Sequence, residues 1–125
     1  MTADQPQFVA YVRVSHQGNQ ADQREQLALQ ERICREYAAS EGYEVIACYS
    51  DIGPGLEPTD RPGLVAALKE IRDGPAGGLV TVGLDRLARL PEHLEWVVEE
   101  IMSQRGVLLA KRSGLPPSAL FPDRN

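Results

Sequence analysis

Long hydrophobic runs are missing from this 125-residue sequence. A helical membrane span needs roughly 20 consecutive apolar residues, and nothing here approaches that. The opening Met1-Thr2-Ala3-Asp4-Gln5-Pro6 lacks the basic and apolar pattern of a secretory leader, so neither export nor membrane insertion is expected. Cysteine is scarce. Cys34 and Cys48 alone make no disulfide framework or metal cluster, which makes a reducing cytoplasm the expected setting. The histidines, His16 and His93, have no further ligand at metal spacing, so no metal is expected. Positive charge is short as well. A net charge of −5 and a pI of about 5.0 exclude nucleic-acid binding driven by overall charge.

What is present argues for one domain with a substantial core, since 42% of the residues are apolar and 25% charged. The charge is uneven. Residues 1–60 hold four arginines against ten acids, whereas residues 61–125 hold nine basic residues against eight acids. Eleven of the thirteen basic side chains are arginine, the cation suited to bidentate phosphate contacts.

Apolar patterning alternates between strand and helix along the chain. Phe8 to Val14 is short, apolar and β-branched, and reads as a buried strand. The polar segment His16–Gln23 reads as a loop. Leu27, Ile33, Cys34, Tyr37 and Ala38 then follow helical spacing from about Asp22 to Ser40, with Gly42 as the stop. Tyr43–Tyr49 reads as a second strand and Asp51–Pro58 as turn chemistry. A helix capped by Thr59 or Asp60, with Pro62 in its first turn, places Leu64, Leu68 and Ile71 inward. After the connector Gly74–Gly78 come a third strand, Leu79–Leu84, and a helix from about Pro91 to Gln104 burying Leu94, Val97, Val98, Ile101 and Met102. Gly106 ends that helix, and Val107–Ala110 is a fourth strand. The pattern predicts an α/β fold, with helices layered on a central, mostly parallel sheet of four or five strands. Residues 1–112 form the domain, and 113–125 a proline-containing tail.

Open parallel sheets gather functional groups at the carboxyl ends of their strands. The first strand ends in Arg13-Val14-Ser15, the second in Ser50-Asp51, and the third in Asp85-Arg86. Strand alternation puts Arg13 and Ser15 on one face. Arg86 and Arg89, three apart, share a face at a helix start, where Asp85 can cap the helix or pair with an arginine. A serine among arginines suits phosphoryl chemistry, because guanidinium groups neutralise phosphate oxygens. A loop serine beside arginines engaged in surface ion pairs accounts for the same spacing, and spacing alone leaves the two open.

The sequence resembles the catalytic domain of the serine recombinases of the resolvase/invertase family, and the large serine integrases in particular. The resemblance is carried by Tyr11-Val12-Arg13-Val14-Ser15, Gln30, Asp60-Arg61-Pro62-Gly63-Leu64 and Gly83-Leu84-Asp85-Arg86-Leu87-Ala88-Arg89, in family order over residues 8–110. It implies a three-layer resolvase-like fold. It also implies that Ser15 is the nucleophile that attacks a DNA phosphodiester, leaving a 5′-phosphoserine link and a free 3′-hydroxyl. Arg13, Arg61, Arg86 and Arg89 would surround the phosphate, Asp85 would orient those arginines, and Gln30 would support the site. No metal or other cofactor is implied, and the expected partners are DNA and either further copies of the chain or a partner recombinase.

Three departures from the family pattern stand out. Asn19, followed by Gln20, occupies a position where glutamine is usual, and Pro54-Gly55 replaces a Ser-Gly. Family members also continue past the fourth strand into a long dimerising, DNA-contacting helix, where this sequence has Ser113–Asn125. The expectation is therefore a catalytic domain separated from those parts, or a stand-alone relative that binds DNA weakly by itself. A non-catalytic module that regulates a partner recombinase is the alternative, and a small phosphate- or nucleotide-binding domain a further one. Other residues read as structural. His16 points away from its neighbour Ser15, His93 and Glu92, Glu95, Glu99 and Glu100 form a solvated helix face, and the cysteines are small core residues. Trp96 stands either at the core edge or exposed as a docking point for a second subunit.

Overall fold

The computed structural model describes residues 5–14, 19–53, 57–88 and 90–112. Strand β1 (Gln7–Val14) leads through helix α1 (Gln20–Ser40) into β2 (Glu44–Ile52). A 3₁₀ turn at Pro58–Asp60 precedes α2 (Pro62–Asp73), which returns the chain to β3 (Gly78–Gly83). The single-turn helix α3 (Leu84–Leu87) and α4 (Pro91–Ser103) then lead to β4 (Val107–Arg112). The four strands lie in the order β2-β1-β3-β4, and every pairing is parallel.

Period-two alternation along β1 splits the core into two halves. Val9 and Tyr11 join Leu79 and Leu108 on the face covered by α2 and α4, packing on Leu64, Ala67, Ile71, Val97 and Ile101. Phe8, Ala10 and Val12 join Val80, Val82 and Leu109 on the opposite face, under Cys34 and Ala38 of α1. The result is the expected three-layer α/β architecture. The chain winds from β1 outward to β2, then back across to β3, so the helices after β1 and β2 fall on opposite faces. That reversal opens a crevice between the carboxyl ends of β1 and β3, the position where such sheets bind ligands.

Several boundaries differ from the sequence reading, each for a physical reason. Helix α1 begins at Gln20, inside the segment read as loop, because the Asn19 side chain accepts from the Asp22 N–H at 2.9 Å and caps it. Strand β2 continues to Ile52, since Ser50, Asp51 and Ile52 pair with Val12, Arg13 and Val14. Neither Thr59 nor Asp60 caps α2. Its exposed N–H groups donate instead to Asp51 across the turn, Gly63 N to Oδ1 at 2.8 Å and Leu64 N to Oδ2 at 2.9 Å. That approach is close enough that a Cβ on Gly63 would fall 2.2 Å from the Ser50 carbonyl oxygen. Leu84 belongs to α3 and not to the strand before it. Gly42 does end α1, with φ at +89°. After α4 the left-handed residue is Arg105, at φ 58°, and Gly106 is needed for room against Ile101. Met102 is exposed, not buried, whereas Trp96 is half-buried against the α2–α4 core and offers no exposed docking point.

Candidate functional site

The carboxyl ends of the strands bring together most of the residues singled out from sequence. Arg13, near the end of β1, is 2% exposed, and its backbone is clasped by Gln30 of α1. The Gln30 carboxamide oxygen accepts from Arg13 N at 3.2 Å, and its nitrogen donates to Arg13 O at 2.9 Å. β1 pairs with β3 only over Phe8–Ala10, so beyond that point its edge needs other partners. Gln30 supplies them at Arg13, and the Thr81 hydroxyl, donating to Tyr11 O at 3.0 Å, supplies another.

The Arg13 guanidinium reaches across the crevice. Nε donates to Arg86 O at 3.2 Å, Nη2 to Asp85 O at 3.2 Å, and Nη1 to Gly53 O at 3.0 Å. Arg61, in the turn before α2, is 3% exposed and converges on the same turn. It donates to Arg86 O at 3.2 Å, to Leu87 O, and to the Tyr11 hydroxyl at 3.4 Å, with its guanidinium carbon 5.9 Å from the Tyr11 ring centre. Two buried arginines thus hold one short turn, α3, by its main-chain carbonyls.

Tyr11 and Asp51, which the sequence reading did not name as site residues, link this network to α2. The Tyr11 hydroxyl donates to Asp51 Oδ2 at 2.8 Å, while that carboxylate also caps α2. Burial, with the bond to Asp51, pushes the Tyr11 phenol far above its usual value and keeps it a proton donor. The signal was present in sequence as an acid at a strand end and a tyrosine two before Arg13, but neither residue type is distinctive alone.

Arg86 is held differently. Its carbonyl is bound by Arg13 and Arg61, yet its side chain turns to the α1 side of the sheet, where it lines a cavity of 340 Å³ with Gln30 and Lys111. Arg86 Nε is buried without a hydrogen-bond partner, as is Arg61 Nε. Asp85 does not cap α3, whose N-cap is Gly83, and its carboxylate forms no ion pair among the described residues. The carbonyl of Asp85, not its carboxylate, engages an arginine. Ser15, which follows the last residue of β1, lies outside the described residues, as do His16, Pro54-Gly55, Arg89 and Ser113–Asn125. Both cysteine thiols are pushed up to about 12, chiefly by burial, which makes them poor nucleophiles. Among the described residues no group of three or more potential metal ligands gathers, and no helix is long and apolar enough to cross a membrane.

An all-parallel sheet between two helical layers, with arginines converging on its switch-point crevice, defines the class of α/β domain seen here. The resolvase N-terminal domain model matches residues 8–114, and the chain belongs to that family. Among solved structures it is similar to the C-terminal catalytic domain of ISC1926 TnpA, an IS607-like serine recombinase. That match has 28% identity and a TM-score of 0.72, covering 84% of this chain and 70% of the other. The N-terminal catalytic domain of TP901-1 integrase matches at 20% identity and a TM-score of 0.67, covering 84% and 76% of the two chains. A serine recombinase from Sulfolobus solfataricus matches at 23% identity and a TM-score of 0.65, covering 92% and 74%. At those identities the latter two bear on the fold alone. No curated protein matches the chain. Family and structure together make this a serine-recombinase catalytic domain.

Proposed function

We propose that this domain cleaves and rejoins DNA through a serine-linked intermediate. The Ser15 hydroxyl oxygen attacks a backbone phosphorus, the bond from phosphorus to the 3′-oxygen breaks, and the 5′-phosphate becomes esterified to Ser15. The 3′-oxygen leaves with a proton, and the serine proton passes to solvent. The phosphoserine ester retains the energy of the broken link, so the reverse attack by a 3′-hydroxyl rejoins the strand without a nucleotide cofactor. Arg86 and Arg89 face the phosphate in this reading and stabilise the charge that grows on its oxygens. Arg13 and Arg61 act from behind, fixing the Arg86 main chain and adding positive potential, and Gln30 fixes the strand end from which Ser15 departs. Asp85 orients the arginine-bearing turn. DNA is the substrate, further copies or a partner recombinase complete the assembly, and the free thiols accord with a cytoplasmic setting.

The observation that carries this reading is the meeting of Arg13, Gln30, Arg61 and Arg86, from four separate segments, at the crevice beyond β1, where Gln30 clasps the Arg13 backbone and Arg13 and Arg61 both donate to Arg86 O. Incubating the protein with supercoiled DNA at low salt, then denaturing, tests it, because phosphate contacts weaken steeply as salt rises. A covalent protein–DNA band that vanishes in Ser15→Ala is expected. Folded protein that yields no band, even when fused to a dimerising DNA-binding segment, would sink it. One observation favours the second reading, a regulatory module. Arg13 and Arg61 have donors committed to main-chain carbonyls, as a purely structural role requires. A chain that forms no adduct yet alters the activity of a partner recombinase would establish that module instead.

A further inference from the structure

Among the described residues that line it, the 340 Å³ cavity on the α1 side of the sheet has no carboxylate, although acids outnumber basic residues 18 to 13 in the sequence. Its polar lining includes Arg86, Lys111 and Gln30, and its apolar wall is Leu29, Ile33 and Val82. Lys111 reaches it by strand register. Val107 and Leu109 pack on the α1 face of the sheet, so Lys111, two further along β4, points the same way. The pairings Thr81↔Ala110 and Gly83↔Arg112 set it beside the end of β3, where α3 begins.

We propose that this cavity is a phosphate subsite for a DNA strand, and that Lys111 is a further phosphate-binding residue. The inference rests on the reading of DNA as substrate and names a residue for it. Arg86 Nε is a buried donor with no partner, a condition that an incoming phosphate oxygen relieves. Lys111 supplies a second, mobile ammonium for the same group. Gln30 has both carboxamide atoms engaged on Arg13 and acts as a neutral wall. The cavity exceeds the needs of a bare phosphate, and Leu29, Ile33 and Val82 present an apolar surface to the attached deoxyribose. Behind it, Arg13 and Arg61 grip the Arg86 carbonyl and bring two further positive charges close.

Free phosphate, a mononucleotide and a strand share the chemistry, so the test uses all three. The isotope-labelled full chain is titrated at low salt with inorganic phosphate, thymidine 5′-monophosphate and a thymidine decanucleotide, following amide resonances. Shifts are expected at Ile33, Val82, Arg86 and Lys111, with the decanucleotide binding tightest. Lys111→Gln should weaken the decanucleotide about fivefold or more, the loss expected for a charge-assisted contact. It should also reduce the salt slope by about 0.7. Lys111→Arg should restore most of the affinity, and Lys69→Gln, on α2, should change nothing. Shifts on another face, equal weakening by Lys69→Gln, or a mononucleotide that binds as tightly as the decanucleotide would each overturn the proposal. The covalent adduct is a separate readout. Adduct formation without binding in the cavity removes the subsite alone, while binding in the cavity without an adduct removes the cleavage reading alone.

Discussion

The two faces of the sheet solve the same problem in different ways. On the α2 and α4 side, the ends of β1 and β2 are tied together by polar groups, the buried Tyr11, Arg13 and Arg61 with the half-buried Asp51, and α3 is held by its carbonyls. On the α1 side the packing is apolar, with Cys34 and Ala38 under the sheet, and Gln30 clasps the end of β1. One face spends cations on rigidity and the other leaves a cation facing a cavity. Arg86 belongs to both, with its carbonyl in the first network and its side chain in the second. The lesson is that an arginine in a phosphate-like motif can serve by holding another arginine still.

The largest effect should separate those two roles. Arg13→Met strips the donors from three main-chain carbonyls and is expected to cost about 3 kcal/mol of stability or more. Arg86→Met should cost less than about 1 kcal/mol, yet lower Ser15-dependent adduct yield by at least about a hundredfold. Urea denaturation beside the adduct assay reads both, and equal destabilisation by the two variants would erase the distinction between the faces.

A smaller effect tests the apolar character of the α1 side. Burial raises the Cys34 thiol from 9.0 to about 12, so the folded state holds that proton more tightly than the unfolded chain does. The contribution is fully present below about pH 9 and is lost as pH rises toward 12, at up to about 1.4 kcal/mol per pH unit. Cys48 and Tyr11 carry the same sign, so the informative quantity is the difference between proteins. Cys34→Ala should flatten the decline of stability above pH 9, and an unchanged slope would mean that this face admits water. Smallest is the cap of α1. Asn19→Ala should lower stability by about 1 kcal/mol in thermal unfolding, and no loss would show that the covering helix needs no cap to stay in place.

These contrasts also explain what the sequence disclosed. The strands, the helices and their parallel stacking were legible because apolar periodicity records burial directly, as along Phe8–Val14 and Pro91–Ser103. β2 read three residues short because Ser50 and Asp51 are polar, and Asp51 is polar for the sake of α2 rather than its own strand. Arg13, Gln30, Arg61 and Arg86 were legible as a motif. That the arginines Arg13 and Arg61 are buried was not, since their partners include carbonyls at residues 53 and 85–87, and a carbonyl leaves no trace in side-chain identity. Lys111 was invisible for a related reason, because its position beside Val82 exists only once β4 has aligned on β3.

The short pairing of β1 with β3 has a mechanical corollary. After Ala10 and Val80 the two strands part, and the slit between them is stitched by the Thr81 hydroxyl and the Gln30 carboxamide in place of a continuous ladder. Force applied at the carboxyl end of β1 therefore meets, among the described residues, the separate side-chain stitches of Thr81, Gln30 and the Arg13 guanidinium on one edge and a ladder to β2 on the other. The strand tip works as a tongue sewn along one side, able to yield toward β3 and checked by the intact ladder below Ala10.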